Sequence, residues 1–393
     1  MLILCMRILH LSDAGLPDWR IEKCAKSALN RGHQVFFAGL HSYVNNDTFS
    51  AVHSLDWTSR ARRAIPYYWH CVKKQLKRIV IEVRPDLVHA HNIFSAKMIS
   101  EFEIPFVYDD HEYWPSYVER EIESYNLDLA NSNRSNYDAR SLIRRLLLGF
   151  LNHRFLQLGI KWEKEIVSSN PTLTVSETIA SEIRRLGGTK VFVSPNFPMK
   201  KEIENLQPPK FHRELSSVYT GIQPKHNIKI VHRDMDGFVD IFNRNNDVGS
   251  LTMIGFEDLN HDNFYSRDGS STVTYRGFLP RHIMYQEMQN SSIGLVPFKR
   301  HWSHKYISPN KAYEYVHAGL LVMCTSSFVT IKNILNEHCI TFEDYDDLIS
   351  QLRYYKHNIE KIYERRMRAQ TFAKENVIWD KYEQNIFDAY RIA

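Results

Sequence analysis

SPNKAYEYVHAG, Ser308 to Gly319, lies between two short apolar runs, Ser292 to Phe298 before it and Leu320 to Thr325 after it. A basic loop with Lys299, Arg300 and Lys305 joins it to the first run. The pattern reads strand, loop, helix, strand. Pro309 suits the first turn of the helix, where a missing N–H leaves no intrahelical bond unmade. Ser308 is the N-cap candidate, and Gly319 stops the helix. The amides at such a helix start, with Lys311 beside them, form an anion site. Glu314 lies one turn along the same face. A cation next to a carboxylate suits a phosphate joined to a sugar hydroxyl. The same two residues also read as a solvated Lys–Glu pair on a surface helix.

The alternation extends in both directions. Arg7 to Ser12 reads as a strand, Ile21 to Arg31 as a helix closed by Gly32, and His33 to Leu40 as a second strand. Arg60 to Val83 reads as a long helix interrupted near Pro66; Asp86 to His91 and Pro105 to Asp109 read as strands. A mostly helical insertion follows, Glu119 to Ser168. Thr172 to Val175, a helix from Glu177 to Leu186 and Val191 to Ser194 complete this half. Repeated βα units imply a doubly wound parallel sheet. Residues 197–227, aperiodic and proline-bearing, read as a linker. Strands are then expected at Ile228–His232, Leu251–Ile254, Val273–Tyr275, Ile293–Pro297, Leu321–Cys324 and Cys339–Phe342, with helices between them. The fold class is α/β: two tandem Rossmann-like domains, 1–196 and 228–375, facing across a cleft, because open α/β sheets bind ligands beyond the carboxyl ends of their strands.

A length of 393 residues suits two or three domains, and 43% apolar with 24% charged residues is the balance of an ordinary soluble protein. The net charge of +5 is unevenly spread: Arg60 to Arg84 holds eight Lys or Arg against one acid, Glu82. Five scattered cysteines show no metal-ligand or redox spacing and read as reduced thiols. The apolar start, Met1 to Met6, stops at Arg7, too short for a secretory signal, and Met6 would itself serve as initiator. No run approaches the ~20 apolar residues of a membrane span. A cytoplasmic protein is expected.

Several strand ends carry chemistry. Asp13-Ala14-Gly15 follows the first strand, as a close backbone approach to a ligand or as a plain turn. Without a GxGxxG, no nicotinamide or flavin site is expected. Asp109-Asp110-His111-Glu112 ends the fourth strand, where polar residues are badly placed for a core and well placed for a cleft. His111 is the candidate proton handler or charge stabiliser. His232-Arg233-Asp234 reads as the end of the next domain's first strand. There Arg233 would grip a diphosphate or pair with Asp234 or Asp236. Ser176 reads as a helix cap and Asn196 as a turn residue. The basic helix interleaves Tyr67, Tyr68 and Trp69 with Arg62, Arg63, Lys73, Lys74 and Lys77, as a membrane- or acceptor-side face or as a solvated one. No nucleic-acid module accompanies it. Leu146 to Ile160, with Arg144, Arg145, Arg154 and Lys161, allows the same two readings.

Taken together, MRILHLSDAG, PDLVHAHN, FVYDDHEYW, TVSETIASEIRR, VSPN, VTYRGFLPRHIMYQEMQNSSIGLVPF, YISPNKAYEYVHAGLLVMCTS and FAKENVIWDKYEQNIFDAY resemble, in order and spacing, the retaining glycosyltransferases of family 4, which have the GT-B fold. The resemblance implies that Glu314 holds the donor ribose. It also implies that Ser308 through Lys311, Asn310 included, meet the diphosphate and sugar. Arg233 would neutralise the leaving group, Gly15 would face the phosphates, and His111 would lie near the transferred sugar. A final helix, 376–393, would cross back to the first domain. Two departures stand out. Tyr306 replaces the family's first glutamate, and Asp236 stands before Gly237 where a lysine is usual; Lys305 and Lys311 are the candidates to supply the charge, and the alternative is weak or no nucleotide binding. The implied activity is metal-independent transfer from a nucleotide-diphosphate sugar, UDP favoured, to a glycan or lipid-linked acceptor. No cofactor, metal or nucleic acid is expected, and no Asp-x-Asp segment is read as a diphosphate–metal holder. An anionic membrane surface at the inner face is an expected partner. A sugar-nucleotide epimerase of the same fold and a non-catalytic partner subunit are the alternatives.

Overall fold

The computed structural model describes residues 5–40, 47–58, 63, 65–132, 139–221, 230–256 and 272–393, with backbone alone at 128–132, 139–142, 144 and 145. The chain forms two compact units, Met1–Pro195 with Tyr382–Ala393, and Asn196–Lys381.

The first unit holds a parallel sheet of β1 (Arg7–Ser12), β2 (Gln34–Leu40), β3 (Ala51–Leu55), β4 (Leu87–His91), β5 (Phe106–Asp110), β6 (Thr172–Thr174) and β7 (Val191–Val193). Their order is β3-β2-β1-β4-β5-β6-β7, so the winding reverses between β1 and β4. β4 and β5 are buried along their whole length, as strands covered on both faces must be. The helices are α1 (Trp19–Asn30), α2 (Pro66–Val83), α3 (Asn92–Ile99), α4 (Trp114–Ser132), α5 (Ala139–Ser169) and α6 (Glu177–Arg185). The Asp18 carboxylate accepts the amides of Arg20 and Ile21 at the start of α1, and Ser176 caps α6 as read. α2 begins at Pro66 itself.

The second unit holds α7 (Lys200–Ile203), β8 (Ser216–Thr220), α8 (Phe238–Arg244), β9 (Ser250–Ile254), β10 (Val273–Tyr275), α9 (Arg281–Met288) and β11 (Ile293–Val296). It continues with α10 (Asn310–His317), β12 (Leu321–Thr325), α11 (Val329–Leu335), β13 (Cys339–Phe342), α12 (Tyr345–Lys356) and α13 (Ile359–Asn376). The sheet runs β10-β9-β8-β11-β12-β13, reversing between β8 and β11.

Packing places α10 over that reversal. Gly294 in β11 leaves room for the Tyr315 ring, which a Cβ would meet at 2.3 Å. The Tyr315 hydroxyl in turn accepts the amide of Thr220 at 2.7 Å. At the other end of α10, Gly319 takes φ +80. Its carbonyl accepts Arg366 of α13 at 2.7 Å. The same buried guanidinium also reaches the carbonyls of Lys210 and Ser291. A cation at a helix carboxyl end complements the macrodipole.

Four expectations change. The stretch 197–227 is not a bare linker, because it contains α7 and the central strand β8. The expected strand Ile228–His232 lies partly outside the described residues, at 228 and 229, and its described end is not a strand: Val231–Arg233 is a 3-10 turn. The edge strand β3, with only alternate burial to mark it, is not among the strands expected from the sequence. The returning helix is shorter than 376–393. Asn376 ends α13, Trp379–Lys381 is a 3-10 turn, and α14 (Glu383–Arg391) follows. α14 belongs to the first unit, where Ser27 donates to Glu383 at 2.6 Å and Asn385 to the Val193 carbonyl at 2.6 Å.

Candidate functional site

Each sheet gathers polar chemistry at its reversal point, where a crevice opens beyond the carboxyl ends of the strands. In the second unit the Lys311 ammonium lies 3.9 Å from the ring centre of Tyr219, in β8, and 5.3 Å from that of Phe298, just past β11. Lys311 therefore sits between the two strands where the order reverses. Burial first, and the charge of Arg233 second, pull its pKa down to about 7, against the opposing pull of Glu314. Arg233 projects from the 3-10 turn that replaces the expected strand end, and it is exposed. Among the described residues, no carboxylate forms a salt bridge with Arg233 or Lys311. The salt bridges of Arg233 to Asp234 or Asp236 and of Lys311 to Glu314, weighed from the sequence, do not form.

Asp234 instead accepts the Asp236 amide at 2.9 Å and faces Lys299 at 3.7 Å, so it serves its own turn. Glu314 binds Arg281 of α9 through Oε1, at 2.7 Å. Arg281 also binds Glu202 at 2.6 Å. Burial works against the Arg281 charge, but Glu314 and its other neighbours outweigh burial and raise its pKa. This three-residue chain fixes the Glu314 side chain, and nothing in the sequence pattern announced Arg281. Ser308 does not cap the helix. Pro309 occupies the cap position, Asn310 begins the helix, and the Ser308 hydroxyl pairs with that of Tyr313 at 2.7 Å. Tyr306 ends a 3-10 turn, with the Lys305 ammonium 4.7 Å from its ring centre. A cavity of about 380 Å³ lined by Gln207, Pro209, Gln286 and Asn290 lies beside the residues that precede β11, away from Lys311 at the strand's other end.

In the first unit, register builds a buried histidine array. His10 of β1 pairs with His89 of β4, and His91 of β4 pairs with Asp109 of β5. His10 Nδ1 meets His91 Nε2 at 3.0 Å, and His91 Nδ1 meets His111 Nε2 at 3.1 Å. The Asp109 carboxylate lies 3.2 Å from His89, 3.3 Å from His91 and 3.3 Å from His111. Arg20 of α1 grips the same carboxylate at 2.6 Å and donates to the Ser194 carbonyl at 2.7 Å. Tyr390 of α14 closes the array against His89 Nδ1 at 2.7 Å.

Burial alone would raise the Asp109 pKa. Arg20 and then His111 overcome it and hold the group well below the usual carboxylate range. Burial lowers His10, His89 and His91 and keeps them neutral. His111 alone is raised, because Asp109 outweighs its burial. Of the three carboxylates flanking His111 in sequence, only Asp109 touches it. Asp110 faces the other side of the sheet, where Tyr108 donates to it at 3.2 Å and burial pushes it up to about 7. Glu112 pairs with Arg120 at 2.7 Å.

Gly15 lies in the loop after β1, beside Asp13, which Arg63 binds at 2.7 Å. Arg63 is therefore turned inward, not part of an outer basic face. Trp69 packs against Trp57 and Trp162, and Lys73 pairs with Glu101. Arg62 lies outside the described residues. Lys74 and Lys77 remain on the exposed face. On α5, Ile143, Leu147 and Phe150 form an exposed apolar stripe at helical spacing. No helix among the described residues is long and apolar enough to cross a membrane.

No family model matches the chain, and no curated protein matches its sequence. Solved structures do match its architecture. Sucrose-phosphate synthase from Thermosynechococcus elongatus superposes with a TM-score of 0.67 at 11% identity over 98% of each chain. HepE from Anabaena, solved with UDP-glucose, gives 0.67 at 11% identity over 99% of this chain and 100% of that one. Trehalose 6-phosphate synthase from Burkholderia multivorans gives 0.60 at 11% identity over 98% of each. The chain has the GT-B fold. At this identity the likeness is one of fold, carried by two parallel sheets of seven and six strands.

Proposed function

We propose that this GT-B protein is a retaining glycosyltransferase of the family-4 kind. It would move a sugar from a nucleotide-diphosphate sugar, UDP-linked in preference to GDP-linked, to a glycan or lipid-linked acceptor of cell-surface polysaccharide or glycoconjugate synthesis. The observation that carries this reading is the placement of Arg233 and Lys311, two cations with no carboxylate salt bridge among the described residues, at the reversal point of the second sheet. Like charges held together at a crevice are stabilised by an anion of matching charge, and a diphosphate is one. As the sugar–phosphate bond breaks, negative charge grows on the leaving diphosphate. Arg233, Lys311 and the amides at the start of α10 stabilise it without a metal. The acceptor hydroxyl attacks from the same face and its proton passes to the leaving phosphate. Glu314, steadied by Arg281, offers its second oxygen to a ribose hydroxyl. Gly15, Lys305, Tyr306, Ser308 and Asn310 are proposed donor contacts, and His111 is proposed beside the transferred sugar. The UDP and UDP-glucose complexes of HepE support the choice of nucleotide.

Calorimetric titration with UDP and GDP tests the reading. UDP is expected to bind, and more tightly than GDP; no heat with either at millimolar concentration would sink it. Binding without transfer to any acceptor would make this a partner subunit, a reading that Tyr306 and Asp236 motivate.

The exposed Lys74 and Lys77 and the apolar stripe Ile143–Leu147–Phe150 support contact with an anionic membrane carrying the acceptor. Lys74→Glu with Lys77→Glu is expected to weaken flotation with phosphatidylserine vesicles roughly thirtyfold, at about 1 kcal/mol per lost cation. Equal flotation of wild type and double variant, or of anionic and neutral vesicles, would remove the membrane from the proposal.

A further inference from the structure

We propose that His91, Asp109 and His111 form a binding site for a zinc-class divalent cation within the first unit. His91 Nδ1, His111 Nε2 and Asp109 Oδ2 make a nearly equilateral triangle, with edges of 3.1, 3.3 and 3.3 Å. A tetrahedral cation with ligand bonds of about 2.0–2.1 Å needs ligand–ligand edges of about 3.3–3.4 Å. A cation above the centre of this triangle therefore reaches all three atoms after shifts of a few tenths of an ångström. Two imidazoles and one carboxylate also form the donor set of an open site, with the fourth position left for a small ligand.

Two further observations point the same way. The first is an excess of donors. Asp109 Oδ2 lies within 3.3 Å of Arg20 Nε, His89 Nε2, His91 Nδ1 and His111 Nε2. A carboxylate oxygen offers about two lone pairs, fewer than the four nitrogens that converge on it. A cation bound to the lone pairs of His91 and His111 removes two of those competitors. The second is an outer shell already in place. Ligating imidazoles characteristically engage their other nitrogen, and ligating carboxylates are themselves hydrogen-bonded. Here His91 Nε2 meets His10 at 3.0 Å, while Arg20 and His89 hold Asp109.

His91 and Asp109 are fully buried, whereas the His111 side chain is 15% exposed, so a cation would arrive past His111. The nitrogen-rich set selects zinc, cobalt, nickel or copper over magnesium and calcium, which prefer oxygen cages. The site uses only first-unit residues and does not depend on the nucleotide reading.

The protein of residues 1–393, stripped with a chelator and titrated with Co²⁺, tests the proposal without nucleotide present. One equivalent is expected to bind with the strong visible absorption of tetrahedral cobalt. Zn²⁺ should displace it and excess Mg²⁺ should not. His111→Ala, at the exposed corner, should lower the affinity at least a hundredfold with an unchanged circular dichroism spectrum. His10→Ala, in the outer shell, should lower it 10- to 100-fold. The proposal is overturned if wild type binds no cobalt, or binds it no more tightly than His111→Ala.

Discussion

Lys311→Ala is expected to lower sugar transfer by about 10²–10³-fold, the usual effect of removing one group that stabilises a developing oxyanion. UDP affinity should fall with it, since the ground-state diphosphate meets the same ammonium. The fold should survive. Lys311 makes no salt bridge among the described residues, rests on the rings of Tyr219 and Phe298, and is disfavoured as a cation by burial and by Arg233. Its removal relieves that conflict, so thermal unfolding should occur at the wild-type temperature or slightly above it. Glu314→Ala should also lower transfer strongly, but for a different reason: Arg281 would keep Glu202 and lose the carboxylate proposed for the ribose. Wild-type turnover by either variant refutes the site assignment.

The same lysine gives the site a pH dependence whose sign is fixed. In the folded protein its pKa is pulled down to about 7, against about 10.4 in an unfolded chain. Between those values the unfolded chain binds the extra proton, so the Lys311 contribution to stability rises with pH across that window. Its destabilising effect is fully present below pH 7. A bound diphosphate opposes the shift by pairing with the ammonium, so UDP binding should take up protons. Phosphate oxygens with a pKa near 6 are already ionised above pH 7. UDP affinity should therefore fall between pH 7 and 8.5, and binding heats should vary with buffer ionisation enthalpy. Lys311→Ala should show neither effect. An affinity that is flat or rising over that range in the wild type would contradict the assignment of Lys311 to the phosphates.

The parts of the fold that were legible in the sequence are those that local chemistry decides. The apolar runs of β11 and β12 are buried on both faces, and continuous hydrophobicity marks such strands without any partner in view. Gly319 and Gly32 stop helices because their backbones take positive φ. By contrast β8 is Ser-Ser-Val-Tyr-Thr, polar enough to pass for linker. It is a central strand because its neighbours cover it. The more apolar Ile228–His232 drew the strand assignment away from it, and Arg233 moved with it from a strand end to a 3-10 turn. Lys311 was recognisable from the helix start that carries it, whereas its seat on Tyr219 and Phe298 depends on packing. The histidine array was hidden for a related reason. His10, the β4 pair His89 and His91, and His111 come from three separate segments, and only the register of β1, β4 and β5 brings them within hydrogen-bonding distance. The pairs His89–His91 and Asp109–His111, each with i, i+2 spacing at a strand's carboxyl end, were the available signal.

Asp109→Ala is expected to destabilise the first unit by about 3–5 kcal/mol, the range for removing one partner of a buried ion pair. Arg20 would remain in the interior, 4% exposed, still donating to the Ser194 carbonyl but without the Asp109 carboxylate that now grips it. Its charge cannot be shed at accessible pH, since a guanidinium stays protonated. The loss should spread, because the orientations of His89, His91 and His111 are also set by that carboxylate. Arg20→Met combined with Asp109→Leu should recover a large part of the stability, because removing both charges leaves no uncompensated ion. Recovery should stop short of wild type, since the histidines lose their acceptor in both variants. Denaturant unfolding of the two proteins measures this difference directly. A single variant within 1 kcal/mol of wild type would mean that water reaches Arg20 and that the pair is not the organising charge of the array. A double variant no more stable than the single would instead place the energy in the Asp109–histidine contacts, and the coupling between Arg20 and Asp109 would then be small.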